Sequence, residues 1–243
     1  VDARTLDGCT DCSVEKIRVT GAFVGIRMLG CSGGSLLKCR AESLTDSGFS
    51  LDDSTGVTVE KCSIKGVARD GIILGETVAT PSDDCVLRRN RIVGAGDEGI
   101  DISGSGNAVE DNLVLESNGT AFRTEFDPPA AGNTFSGNKA LRPGLSGFGI
   151  TGTDNILTDN VVVKSGDHAL RLELGSGHVV QGLRAVRSES DGVFCRDDAS
   201  GVTVSGCKIV KPLEKGLDIA GDGATVFANK VTRPGLDAVE IEG

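Results

Sequence analysis

Residues 147–172, GFGITGTDNILTDNVVVKSGDHALRL, hold one complete copy of a repeat and the start of the next. The copy opens on a small residue, Gly147, with apolar residues at the second and fourth places, Phe148 and Ile150. It passes through NILTDN (Asn155 to Asn160) and reaches a second small residue, Ala169, nine residues after Asn160. Alternating apolar places are the period-2 mark of a strand with one buried face. The same phrase recurs as GIRM at Gly25, GFSL at Gly48, GIIL at Gly71, GIDI at Gly99, AFRT at Ala121, GVFC at Gly192, GLDI at Gly216 and AVEI at Ala238. At intervals of 22 to 28 residues these phrases imply stacked coils of one solenoid. Glycine at most repeat heads argues against helical repeats, and neither a leucine-rich signature nor four strands per repeat is present.

A second phrase follows each head, clearest as NAVEDN (Asn107 to Asn112), NTFSGN (Asn133 to Asn138) and NILTDN. Its last place runs Cys39, Cys62, Asn90, Asn112, Asn138, Asn160, Leu183, Cys207, Asn229. That column reads as an asparagine ladder, in which side chains at an inward turn hydrogen-bond from coil to coil and satisfy buried amides. It also gives Cys39, Cys62 and Cys207 a structural role. The arc from the ladder place to the next head is constant at nine residues, as from Cys39 to Gly48, so the length variation falls at one turn. The longest versions of that turn are Gly75 to Asp84 and Phe126 to Gly132. Insertions confined to one face of a solenoid mark that face for binding.

The 243 residues include 35 glycines and one methionine but no tryptophan or tyrosine, which leaves small and β-branched residues to fill the interior. A net charge of -10 makes nucleic acid a poor partner. No apolar run is long enough to span a membrane. Cys9-Thr-Asp-Cys12 is weak as a zinc motif, having no second pair, and the register allows a cross-coil disulfide of Cys9 with Cys31. The chain starts at Val1 without Met and stops within a coil at AVEIEG. It is therefore expected to be one solenoid domain, residues 1–243, excised from a longer protein, with open ends that further coils or end-to-end association would cover.

The GΦxΦ strands, the 23-residue coils and the NxΦxxN phrase resemble the pectate-lyase-like parallel β-helix superfamily, especially its degenerate repeat of carbohydrate-binding proteins and sugar hydrolases. The resemblance implies an all-β, single-stranded, right-handed parallel β-helix of about ten coils over almost the whole chain. It also implies a polysaccharide partner and an extracellular, cell-surface or periplasmic location. Family motifs are mostly missing. Asp83-Asp84 and Asp197-Asp198 supply only the DD dipeptide of polygalacturonases, and Asp127-Pro128-Pro129 lacks the His and second Asp of the epimerase DPHD motif. Pectate lyases use Arg or Lys as base with carboxylate-held Ca²⁺, so the resemblance permits Arg123 or Arg171 as base and Asp101 or Glu125 as ligand.

The third and fifth places of each phrase are expected to face outward, building two surface columns. In the middle coils these carry Asp101, Arg123, Glu125, Arg171, Glu173 and Arg196, with Phe194 the one aromatic of the first column. Arg123 and Arg171 lie two coils apart across Gly149, a gap of about 10 Å that a sugar carboxylate can bridge. Cross-coil ion pairs, Asp101 with Arg123 and Glu173 with Arg196, are the plain alternative. His168 can serve as acid or base at the groove edge. Asp97, Glu98, Asp101 and Asp127 suit either Ca²⁺ or a glycosidase acid/base pair. The expected site is thus Arg123, Arg171, His168 and Asp101 for chemistry, Glu125, Glu173, Arg196 and Phe194 for substrate, and Asp101, Glu125 and Asp127 for Ca²⁺. The expected function is lyase- or epimerase-like action on an acidic glycan. The alternatives are a non-catalytic adhesion or carbohydrate-binding module and a purely structural solenoid.

Overall fold

The protein is described by a computed structural model covering residues 2–75, 79–125 and 130–242. Among them there is no helix; short strands form three parallel sheets. Each coil gives one strand to each sheet. The first sheet takes the GΦxΦ strands, from Arg4–Asp7 to Val239–Ile241. The second takes the strands before the ladder, from Ser13–Glu15 to Thr225–Phe227, and the third those after it, from Arg18–Thr20 to Lys230–Thr232. Pairing is between successive coils, as in Ile100 with Phe122, Asp101 with Arg123 and Ile102 with Thr124. The result is the expected right-handed parallel β-helix of about ten coils, the hand that parallel crossovers take.

Small heads follow from packing: a Cβ on Gly147 would lie 2.5 Å from Val162 Cγ2 and 2.6 Å from the Ala169 carbonyl oxygen. The apolar second and fourth places are buried throughout the middle coils. The interior corrects one expectation, because Phe49, Phe122, Phe135 and Phe148 are fully buried beside the aliphatic residues. Register places Phe122 on Phe148, and their rings stack at 4.7 Å, with Phe135 edge-on to Phe148 at 6.1 Å.

The ladder runs as expected through Cys62, Asn90, Asn112, Asn138 and Asn160, each backbone N–H donating to the next Asn Oδ1 at 2.9 Å. The first Asn of the same phrase builds a second ladder, Cys85 to Asn107 to Asn133 to Asn155, with bonds of 2.8 to 2.9 Å. Cys9 is disulfide-bonded to Cys12, not to Cys31. Register does bring the Cys31 Sγ within 3.4 Å of Cys9 Sγ, but the shorter loop closes within one coil.

The variable turn joins the first sheet to the second. Where it runs through Thr80 to Ser82, Asp53 N–H donates to Thr80 O and Ser82 N–H to Ser103 O, both at 3.0 Å. Asp52, Gly75 and Ser103 are consequently buried, and so are Ser50 and Ile73, although all five were expected to face outward. In the middle coils the outer face of the first sheet is open, with Asp101, Arg123, Gly149 and Arg171 half-buried.

Candidate functional site

That opening lies over Gly149. Its neighbours in register are Arg123 and Arg171, and the missing side chain leaves a groove of ≈ 420 Å³. Glu98, Thr120 and Arg123 form one wall; Asp167, Arg171 and Glu173 form the other. A Cβ on Gly149 would come no nearer than 3.5 Å to Thr120 Cγ2, so a side chain is sterically permitted here and the hollow is a matter of residue choice.

Each guanidinium is held by carboxylates. Arg123 Nη2 donates to Glu125 Oε2 at 3.1 Å and lies 3.6 Å, through Nη1, from Glu98 Oε1. Arg171 Nη2 donates to Glu173 Oε1 at 2.6 Å, and Arg196 Nη1 reaches the same oxygen at 2.8 Å. Burial pulls the Arg123 pKa down, and the acidic groups around it, Glu125 among them, more than offset that. Arg171 Nε is buried without a hydrogen-bond partner among the described residues.

The carboxyls differ from one another. Burial, and then the adjoining Asp97, raises Glu98 to about 8. Burial and the Glu125 charge hold Asp101 well above the usual carboxylate range, and its Oδ1 has no hydrogen-bond partner among the described residues. Asp70 is also raised, mainly by burial. Glu98 therefore carries a proton near neutrality beside an arginine and an open groove.

Of the expected residues, Arg123, Arg171 and Glu173 line the groove, and Glu125 pairs with Arg123 at its edge. Arg196 is joined to it through Glu173, the cross-coil pair foreseen as the plain alternative. Asp101 lies beside Arg123 in register, while the ion pairs of Arg123 go to Glu98 and Glu125. His168 is not among the lining residues. Its Nδ1 is 3.2 Å from Asp191 Oδ2 and its Nε2 3.4 Å from Asp167 Oδ1, and its ring stacks on Phe194 at 4.6 Å. Phe194 is thereby a support for His168, and His168 holds Asp167, which lines the groove and accepts a hydrogen bond from Ser146 Oγ at 3.1 Å. Asp127 lies outside the described residues. The carboxylate group that the described residues bring together is Asp70, Asp97 and Glu98, whose oxygens lie within 4.8 Å of one another.

Asp70, Thr120, Ser146 and Asp191 were not anticipated. They share the place immediately before each head with Glu98 and His168, a column whose side chains are buried or nearly so. No helix among the described residues is long and apolar enough to cross a membrane.

The family described as "Right handed beta helix region" matches residues 3–127. No curated protein sequence matches the chain. Among solved structures, the catalytic unit of a GH87 α-1,3-glucanase from Streptomyces thermodiastaticus aligns with TM-score 0.65 and 16% identity, over 95% of this chain and 49% of its own. An alginate lyase from Paenibacillus aligns with TM-score 0.55 and 12% identity, over 99% of both chains. The receptor binding domain of the siphovirus 9NA tailspike aligns with TM-score 0.55 and 10% identity, over 95% of this chain and 52% of that one. At these identities the likeness is one of fold. The chain spans 49% and 63% of the lengths of the first two glucanase structures compared.

Proposed function

The chain belongs to the right-handed β-helix family, and from that premise we propose that it processes an acidic polysaccharide by lyase- or epimerase-like chemistry in the groove over Gly149. The observation that carries this proposal is the pair of guanidiniums, Arg123 and Arg171, on opposite sides of a glycine-floored hollow. Elimination and C5 epimerisation both begin with loss of the proton beside the sugar carboxylate. Negative charge grows on that carboxylate as the proton leaves, and fixed guanidiniums stabilise it there. Arg123, kept charged by its carboxylate neighbours, acts as a clamp and not as a base. Asp167, steadied by His168 and Ser146, is the proton acceptor on one wall. Glu98 is the donor on the other, able to protonate a departing glycosidic oxygen. That an α-1,3-glucanase and an alginate lyase share the fold supports a polysaccharide as the substrate class. Such a substrate belongs with an extracellular or cell-surface location.

One observation favours a second function, carbohydrate binding without catalysis: both arginines are already engaged, with Glu125 and with Glu173. Incubation with alginate, polygalacturonate and an α-glucan separates the two. The expected result is an ultraviolet-absorbing unsaturated product, or inverted C5 centres by NMR, from a polyuronide, lost in Arg171→Ala. Binding without product on any polyuronide supports the second function. New reducing ends without unsaturation point to hydrolysis and overturn the lyase assignment.

A further inference from the structure

Part of the chain's positive charge gathers along the third sheet. Its strands begin with Arg184, Lys208 and Lys230 in register, all exposed. Three residues later, where the chain leaves the sheet, exposed cations fill the left-handed turn position in five successive coils: Arg142, Lys164, Arg187, Lys211 and Arg233, with φ between 54° and 63°. The backbone N–H groups of Lys164, Arg187 and Lys211 each donate to the next coil, to Val186, Val210 and Thr232, at 2.9 Å. The charges thus ride on hydrogen-bonded turns at the coil spacing of about 4.8 Å. Arg142 pairs with Glu116, but Arg184, Arg187, Lys208, Lys211, Lys230 and Arg233 have no ion-pair partner among the described residues.

Like charges stacked directly across strands repel, and these stand unneutralised on a chain of net charge -10. Between Lys164, Arg187 and Lys211 lies a hollow of ≈ 400 Å³. Ser188 lines it, with a buried hydroxyl that has no hydrogen-bond partner among the described residues. We propose that this face is a second binding site, separate from the groove on the first sheet, for a linear carboxylate-bearing polysaccharide lying along the solenoid axis. Three features select that ligand. The cation pitch is close to the rise of one sugar in an extended chain, whereas charges along one strand of duplex DNA recur at about 3.4 Å. No aromatic side chain stands on the third-sheet strands to stack a nucleobase. The acidic remainder of the surface steers a polyanion toward its cationic faces, this one and the groove.

The test is binding of polygalacturonate by affinity electrophoresis across a salt series, with a thymidine oligonucleotide and neutral dextran as comparators. Wild type is expected to bind polygalacturonate at low salt and to release it steeply as salt rises. Arg187→Glu/Lys211→Glu is expected to bind about tenfold more weakly or worse, and so is the milder Arg184→Gln/Arg187→Gln/Lys208→Gln/Lys211→Gln, with unchanged melting temperature. The cation variants are compared in the Gly149→Gln background, where the filled first-sheet groove leaves the third sheet to bind. The proposal is overturned if they bind there as tightly as Gly149→Gln itself, or if Gly149→Gln retains no binding of polygalacturonate at low salt. Tighter binding of the oligonucleotide would replace the polysaccharide with nucleic acid.

Discussion

Glu98 stands immediately before the head of its strand, where a side chain leans over the outer face of the first sheet while its backbone is still within the arc. Burial there raises its carboxyl to about 8. If Glu98 is the proton donor, activity falls as pH rises through about 8, and Glu98→Gln removes that alkaline limb. The same variant lowers turnover by about 100-fold or more while leaving ligand affinity nearly unchanged. Stability carries a related signature. A carboxyl raised in the folded state binds a proton that the unfolded chain has released, so its contribution is full below the ordinary value of 4.5 and is lost as pH rises through about 8. Denaturation midpoints of wild type and Glu98→Gln between acid and pH 9 check the sign. At this scale the sequence was legible in the columns that period 2 turns outward, which is why Arg123, Gly149 and Arg171 could be picked out. Of the place before the head, Glu98 and His168 were picked out by residue type, but the column itself escaped because it belongs to the arc and not to the strand; Asp70, Thr120, Ser146 and Asp191 were lost with it.

The ladders do their work at the level of the coil. Asn138 Oδ1 accepts from the backbone N–H and from Nδ2 of Asn112, at 2.9 and 3.1 Å, and Asn138 Nδ2 donates to Val109 O at 2.7 Å. Asn138→Ala strands several buried groups at about 1–3 kcal/mol each. It is expected to cost about 3 kcal/mol or more in urea denaturation, with a smaller loss for the less buried Asn229→Ala. The second ladder ends where His178 takes the next Asn place. His178 is fully buried, with neither ring nitrogen hydrogen-bonded to a described residue, and burial lowers its pKa. The unfolded chain therefore takes up a proton below about pH 6.5 that the folded chain resists, and stability falls as pH drops through that range. His178→Asn extends the ladder, and the melting temperature is expected to rise more at pH 5 than at pH 8. Spacing revealed the ladder at the end of the phrase because a constant nine-residue arc follows it. The ladder at its start lies a constant five residues earlier, but Asn fills that place in only three coils, Asn107, Asn133 and Asn155, between Cys85 and His178.

For the molecule as a whole, the repeat period carried the architecture, since coils can stack in register only if heads and ladder places recur together. Charge was less legible. The net value of -10 weighed against nucleic acid, but it averages over three faces, and only the assembled sheets show that Arg184, Lys208 and Lys230 share one of them. The site was half legible for a similar reason. Its arginines lie in the repeating strand, whereas its acid–base partners depend on how deeply each neighbour is buried. The central claim is that the glycine-floored groove is where a sugar binds. Calorimetric titration with short oligogalacturonates of Arg187→Glu/Lys211→Glu, with and without Gly149→Gln, tests it most directly, because the third-sheet cations are removed from both and Gly149 lies at an unhindered position where the new side chain fills the groove without disturbing the coil. The expected result is measurable binding by the protein that keeps Gly149 and loss of at least tenfold in affinity in the one that does not, with equal melting temperatures. Equal affinity in the two proteins would contradict it.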